Sequence, residues 1–356
     1  MNRREFLGTL TAGATLAATM PKALAATKKV RPEGFMWAGL LHFGMNMWGD
    51  WDGTRFEASE NQFAKDGGKD RTDDDPMDGS GKSGPQDRMR FDYETWKAVT
   101  ERMADRGLNT LLIDIAEGVR WPRHPELGAK DAWEPERFVA ELNRLKSLGL
   151  RLVPKMNFSA GHDAWLKDYG HRLSTPEYYQ VCADCIQDAK KMFGDPEYVH
   201  LGYEEEVGDK YQRTDDLWWK DLLFLVDKVE KGGARAWIWS DYPRSRSVEI
   251  FKKRMPKSVL LGVGWYPEIK DLLTCRDTRM HRKFMLYALY EELGYDQTPC
   301  GGNWCTDKNM AEIVRMGDAV IRDGRLKGYV TTAWRATVPK WRQKITDSID
   351  QLGELI

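Results

Sequence analysis

Two periods alternate along this chain of 356 residues. Short apolar runs rich in β-branched and aromatic residues read as buried strands. Each gives way to a longer stretch whose apolar positions recur every three or four residues, the spacing of one helix face. Strands are predicted at 35–43, 108–115, 150–158, 198–203, 234–240, 259–265, 298–304 and 326–333. Helices are predicted at 92–106, 135–148, 175–193, 217–229, 246–255, 281–293, 308–322 and 340–356. Trp96, Val99 and Met103 share the face of the first helix, Phe138, Leu142 and Leu145 that of the second, and Gly107 and Gly149 stop them. Thr175-Pro176-Glu177 offers an N-cap, a proline at the first helical position and an early acid. The seventh strand is the weakest, interrupted by Gly301-Gly302.

Eight strands, each followed by a helix, predict an α/β fold: a single (β/α)8 or TIM barrel over 26–356 with a long insertion after strand one. A doubly wound open sheet is the alternative, but it calls for a glycine-rich phosphate loop after an early strand, and no G-x-G-x-x-G or Walker motif occurs. The insertion, 49–89, joins strand one to its helix. Its middle, with Asp73-Asp74-Asp75 and a Gly/Ser/Lys-rich run, reads as a long mobile solvated loop, and it lacks the spaced acids of an EF-hand.

A barrel of this kind carries its active site at the C-terminal ends of the strands. Strand one brings His42, Asn46 and Trp48 there; strand two Asp114 and Glu117; strand three Lys155 and Asn157, with His162 in the following loop. Strand four runs into Glu204-Glu205-Glu206. Like charges crowded at one mouth raise the pKa of one of them, which suits a general acid near neutral pH. The plainer account of such a triplet is a solvated loop. Strand five ends in Trp239 and Asp241, strand six in Trp265 and Tyr266, strand seven in Trp304 and strand eight in Trp334. Tryptophans at five strand ends around carboxylates and amides suit a carbohydrate, whose C–H faces stack on indole while its hydroxyls bond to Asp, Asn and His. Cleaving a glycosidic bond calls for a carboxylic acid to protonate the leaving oxygen.

Composition adds 15 Trp, 41% hydrophobic and 31% charged residues, and a net charge of −1, which excludes an electrostatic footprint for nucleic acid. The first 25 residues read as an export signal: Arg3-Arg4, a weakly apolar run over 8–20, then Ala23-Leu24-Ala25 as a cleavage site. The paired arginines point to twin-arginine export, hence a periplasmic or secreted protein. No other run approaches the ~18 apolar residues of a spanning helix, so no membrane partner is expected after cleavage. Of five cysteines, Cys182 and Cys185 sit in a helical pattern and read as packing, while Cys300 and Cys305 flank a turn and can pair. No spacing suggests a structural metal, and no cofactor motif occurs.

His200-Leu201-Gly202-Tyr203-Glu204-Glu205 resembles the His-x-Gly-Gly-Asp-Glu signature of the family 20 glycoside hydrolases, the β-N-acetylhexosaminidases, and falls at the end of the fourth strand as it does there. The Trp-bearing strands 237–241 and 328–334 are similar to that family's as well. The resemblance implies a retaining mechanism in which the substrate's own acetamido oxygen attacks the anomeric carbon. Glu205 would then match the general acid and Glu204 the residue that orients the acetamido group, with tryptophans around its methyl. The departures are Glu204 for the family's Asp, Tyr203 for a Gly, and His42 with Asn46 where the family has an Arg. Two other readings stand beside a glycosidase: a metal-dependent sugar isomerase or epimerase using His42, Asp114, His200 and Glu204, and a non-catalytic carbohydrate-binding barrel.

Overall fold

A computed structural model describes residues 29–46, 85–158, 162–203, 213–270 and 278–356. The anticipated signal (1–25), most of the 49–89 loop, Trp48, and Glu204, Glu205 and Glu206 lie outside the described residues. The compact unit is Gly34–Ile356. Its strands are β1 (Met36–His42), β2 (Thr110–Asp114), β3 (Arg151–Lys155), β4 (Tyr198–His200), β5 (Arg235–Trp239), β6 (Leu260–Gly264), β7 (Gln297–Gly301) and β8 (Gly328–Thr331). They are all parallel and close in chain order into a barrel, β8 pairing back onto β1 with Met36 opposite Gly328.

The helices that follow them are α1 (Tyr93–Asp105), α2 (Pro135–Ser147), α3 (Pro176–Phe193), α4 (Asp215–Lys231), α5 (Val248–Arg254), α6 (Thr278–Leu293), α7 (Asn309–Val320) and α8 (Arg342–Gly353). The barrel and every expected strand and helix are therefore present. α1 begins where the Asp92 carboxylate accepts from the Thr95 N–H at 2.7 Å. α3 begins at Thr175 and Pro176 as expected and ends at Gly194, whose φ of 73° is the left-handed C-cap that glycine adopts without strain. Among the described residues, four 3-10 segments (Ala116–Gly118, Pro125–Leu127, Ala164–His171 and Pro339–Trp341) and a one-turn helix (Tyr242–Ser245) had not been anticipated.

Strand residues alternate between two apolar layers. Trp37 and Leu41 of β1 face the helices, and Met36, Ala38 and Leu40 fill the barrel interior. The end of β1 is held in the outer layer by Phe43, ringed by Phe91, Trp96, Trp133 and Phe138 at centroid distances of 4.6, 5.5, 5.0 and 4.9 Å. Trp96 also donates its indole N–H to Glu141 Oε1 of α2 at 2.7 Å. This packing fixes the position from which His42, one residue back, turns inward.

Two expectations change. β4 ladders over only three residues, because Gly202 and Tyr203 both take positive φ (80° and 67°) and turn the chain out of the strand. Cys300 and Cys305 are not bonded to one another. Cys182 and Cys185 are buried in α3 as expected, and burial pushes both thiols well above their ordinary range, so neither is a reactive thiolate.

Candidate functional site

The inward alternation that places Leu40, Leu112 and Val153 in the barrel ends each strand on a polar side chain. His42, Asp114, Lys155 and His200 are register neighbours on β1, β2, β3 and β4, and Trp237 of β5 follows. All four polar residues are buried, at 0–1% exposure. Such a layer survives only if its charges are matched. Asp114 does the matching: His42 Nδ1 lies 2.8 Å from its Oδ2, and Lys155 Nζ donates to its Oδ1 at 2.7 Å. Burial alone would raise the Asp114 carboxyl, but Lys155 and His42 outweigh it and hold it below the ordinary carboxylate range.

His200 is bound the other way round. Its Nδ1 accepts the Gly202 N–H at 3.0 Å, so in the neutral ring the proton is on Nε2, which has no hydrogen-bond partner among the described residues. Burial, with the Lys155 charge beside it, pushes His200 well below its ordinary value and keeps it neutral. Gly202 makes the bond possible. A Cβ there would stand 2.0 Å from Asn157 Oδ1, so only glycine lets β4 close on the buried Asn157.

The other half of the mouth is aromatic. Trp239 of β5 lies 4.6 Å from His200 and 6.0 Å, edge to face, from Trp334 after β8. Trp334 in turn meets His42 at 5.7 Å and Tyr266 at 6.2 Å, and Tyr266 meets Trp304 at 5.5 Å. The contacts thus lead from His200 of β4 through Trp239 of β5 to Trp334 after β8 and on to His42 of β1, with Tyr266 after β6 joining Trp334 and Trp304 after β7 joining Tyr266. Trp334 holds φ at 49°, a conformation a bulky side chain rarely adopts, and Tyr203 at the end of β4 does the same. Strain of this kind clusters at functional rims, and here it sits at two of the strand ends that form the mouth.

The structure brings together His42, Asp114, Trp239, Tyr266, Trp304 and Trp334 from the expected set. Asn157 (0% exposed) and His162 (5%) are buried in the β3 end and its loop, and Asp241 (7%) ends β5 with Lys283 of α6 3.7 Å away. Two residues are placed differently. Trp265 follows Gly264 with the opposite parity and packs against Phe284 at 5.3 Å in the strand–helix layer, outside the ring. Asn46 commits its amide to the chain returning from the long β1–α1 connection: Oδ1 accepts from the Gln86 N–H at 2.8 Å and from Arg90 at 3.1 Å, and Nδ2 donates to the Gln86 carbonyl at 2.7 Å.

Lys155 and His200 belong to the layer but were not among the expected substrate contacts. The available signal was a lysine inside an otherwise apolar strand, which calls for a buried partner on a neighbouring strand. Glu117 was likewise recognised only as a strand end. It is fully buried, and its two carboxylate oxygens accept the Met45 and Asn46 N–H groups at 2.8 and 2.9 Å, so it clamps the chain leaving β1. Burial raises its carboxyl in spite of these bonds. Among the described residues no three His, Cys, Asp or Glu side chains form a metal cage.

No protein-family model matches the sequence, and no curated protein matches it. Solved structures do match by fold. A chitobiase from Flavobacterium johnsoniae superposes with a TM-score of 0.53 at 14% identity, over 74% of this chain and 50% of that one. A β-N-acetylhexosaminidase from Bacteroides fragilis gives 0.53 at 12% identity, over 89% and 65%. Dispersin B gives 0.51 at 11% identity, over 74% and 95%. The chain thus spans half to two thirds of the length of the first two. The (β/α)8 barrel described above is the fold of the family 20 β-N-acetylhexosaminidase barrels.

Proposed function

We propose that the chain is a glycoside hydrolase acting at the C-terminal mouth of its barrel. The observation that carries this reading is the division of that mouth: hydrogen-bonding side chains on β1 to β4, aromatic side chains on β5 to β8. A pyranose has the same two-sided character, with hydroxyls around the edge and C–H groups on its faces. Chitobiase and β-N-acetylhexosaminidase structures share the fold, which supports an N-acetylhexosaminide as substrate. The reaction follows from the sequence motif. Glu205 is two residues beyond Tyr203 at the β4 end and serves as general acid toward the leaving oxygen. Glu204 orients the acetamido group, whose oxygen attacks the anomeric carbon in a retaining, substrate-assisted reaction. Of these two, neither belongs to the described residues, so their roles rest on the motif and on its position after β4. Twin-arginine export, carried by Arg3-Arg4 and Ala23-Leu24-Ala25, is part of the same proposal.

The test is hydrolysis of a panel of nitrophenyl glycosides, including N-acetylglucosaminide and N-acetylgalactosaminide, by the protein lacking residues 1–25 and by its Glu205→Gln form. The expected result is cleavage of an N-acetyl substrate that drops by two orders of magnitude or more in Glu205→Gln, the scale of a lost general acid. Cleavage confined to glycosides without the acetamido group would keep the hydrolase and discard the substrate-assisted route. No cleavage anywhere, with retained sugar binding, would leave a binding barrel.

A further inference from the structure

Each helix of a (β/α)8 barrel runs back against the strand before it, so its first turns stand level with the C-terminal strand ends. On α6 the face turned to the strands carries Lys283, Tyr287 and Tyr290, spaced four and three residues apart. Tyr287 donates its hydroxyl to the Val263 carbonyl of β6 at 3.0 Å, and Tyr290 donates to the Ser240 carbonyl just beyond β5 at 2.7 Å. These two bonds fix α6 against both strands. Lys283, one turn nearer the mouth than Tyr287, then reaches Asp241, with its Nζ 3.7 Å from Oδ2. Asp241 itself lies two residues after Trp239, the inward-facing aromatic that ends β5.

A nitrogen–oxygen distance of 3.7 Å is an ion-pair contact but too long for a hydrogen bond. No hydrogen bond to the Asp241 carboxylate or the Lys283 amine occurs among the described residues. Both side chains are largely buried, at 14% exposure for Lys283 and 9% for Asp241, where unmet hydrogen-bonding capacity is costly. Spheres of about 2.8 Å drawn around two atoms at this separation overlap, so a single oxygen can touch both. That oxygen must accept from the amine and donate to the carboxylate. A hydroxyl does both, whereas a carbonyl oxygen or an amide N–H does only one.

We propose that Asp241 and Lys283 form a clamp for one sugar hydroxyl, which makes Lys283 a specificity-determining residue of the mouth. Asp241 alone would accept from a hydroxyl or an amide alike; Lys283, donating to the same atom, narrows the choice to a hydroxyl. The clamp stands on β5, the strand that also brings Trp239. A pyranose laid with its C–H face on that indole carries its hydroxyls at the edge of the ring, and Asp241 is two residues on. That the ligand is a sugar rests on the glycosidase reading. The demand for one oxygen that both donates and accepts does not. A water molecule meets the same demand, so the test compares ligands that differ by a single hydroxyl.

The experiment measures binding and hydrolysis of nitrophenyl N-acetylglucosaminide and its singly deoxygenated analogues. The proteins are the chain without residues 1–25, Lys283→Met, Asp241→Asn and the double variant. The unsubstituted chain should bind one of the deoxy analogues roughly ten- to a hundredfold more weakly than the parent sugar, the scale of a hydrogen bond to a charged group. In each single variant the parent sugar should weaken by a similar factor while that one analogue hardly changes, and the double variant should lose no more than the weaker single one. An ion pair with a purely structural role would weaken the parent and every analogue alike, and that result would overturn the proposal. So would equal affinity of the unsubstituted chain for all the analogues, the outcome if water alone occupies the clamp. If Lys283→Met does not fold, Asp241→Asn and the unsubstituted comparison still decide. Selective binding without hydrolysis would discard the glycosidase and keep the clamp. Hydrolysis without the selectivity would do the reverse, and neither binding nor hydrolysis would discard both.

Discussion

Asp114 shows what a single carboxylate does in this barrel. It is completely buried and accepts from groups on the strands to either side of it, so its removal changes three strands at once. Asp114→Asn keeps the shape but removes the carboxylate that pairs with the Lys155 ammonium, both at 0% exposure. The expected cost is about 3–5 kcal/mol of unfolding free energy, the range for a buried pair broken on one side. Asp114→Leu combined with Lys155→Met should recover a good part of it, because both members of the buried pair are then replaced by apolar groups. Urea unfolding of the single and double variants decides this; a single variant within about 1 kcal/mol of the parent would mean that solvent reaches Lys155. These positions were legible in the sequence as strand ends, but the pairing was not. Which strand-two residue faces Lys155 depends on the β2–β3 register, and a linear string does not carry register. Trp265 was misplaced for a related reason. Both faces of a barrel strand are buried, so the apolar alternation that tells inside from outside is muted.

The strands and helices themselves were readable because each one ends on a chemical signal, most often a glycine or a capping side chain. β7 is the instructive case. Gly301-Gly302 weakened it as a strand in the sequence, yet the structure needs both. A Cβ on Gly301 would lie 2.2 Å from Asn309 Oδ1, and one on Gly302 would lie 1.9 Å from the Thr332 carbonyl oxygen, at a φ of 141° that other residues rarely adopt. The glycines let β7 approach the start of α7 and the end of β8, beside the Thr332 that precedes Trp334 in the chain. Gly302→Ala should therefore cost more than about 2 kcal/mol through backbone displacement, several times a glycine-to-alanine change in open space. Gly324→Ala, with nothing within 4 Å of its Cβ, is the control and should be near neutral. Comparable melting temperatures for the two variants would show that β7 and β8 can part without loss. Three of the 3-10 segments were not legible because three residues are too few to display a period, and the fourth, Ala164–His171, is broken at Lys167, whose φ is 53°. The shortening of β4 was missed because Tyr203 is not a residue expected at positive φ.

At the scale of the whole molecule, a closed barrel must join its first unit to its last. Strands do this through β1 and β8, and a partly exposed carboxylate ties α8 to α1. Asp350 of α8 accepts from Arg102 Nε and Nη2, each at 2.8 Å, and from Arg106 Nε at 2.7 Å, both arginines lying at the C-terminal end of α1 and its cap. The hydrogen bond from Arg102 comes first, and with Arg106 it outweighs partial burial and lowers the Asp350 carboxyl from 3.8 to about 2. A carboxyl held below its unfolded value stabilises the fold at every pH above that value. The contribution fades as the pH falls from about 4 and is gone once Asp350 is protonated in the native state, below about 2. Both arginines are partly exposed, so solvent screening trims the full linkage energy to about 1 kcal/mol. Asp350→Asn should thus lower the urea midpoint at pH 7, and the gap to the parent should close between pH 4 and pH 2. A gap that stays constant over that range would place the effect in packing between α1 and α8 rather than in charge. A gap that closes would show that an ion pair spanning 248 residues of sequence helps to hold the first and last units of the barrel together.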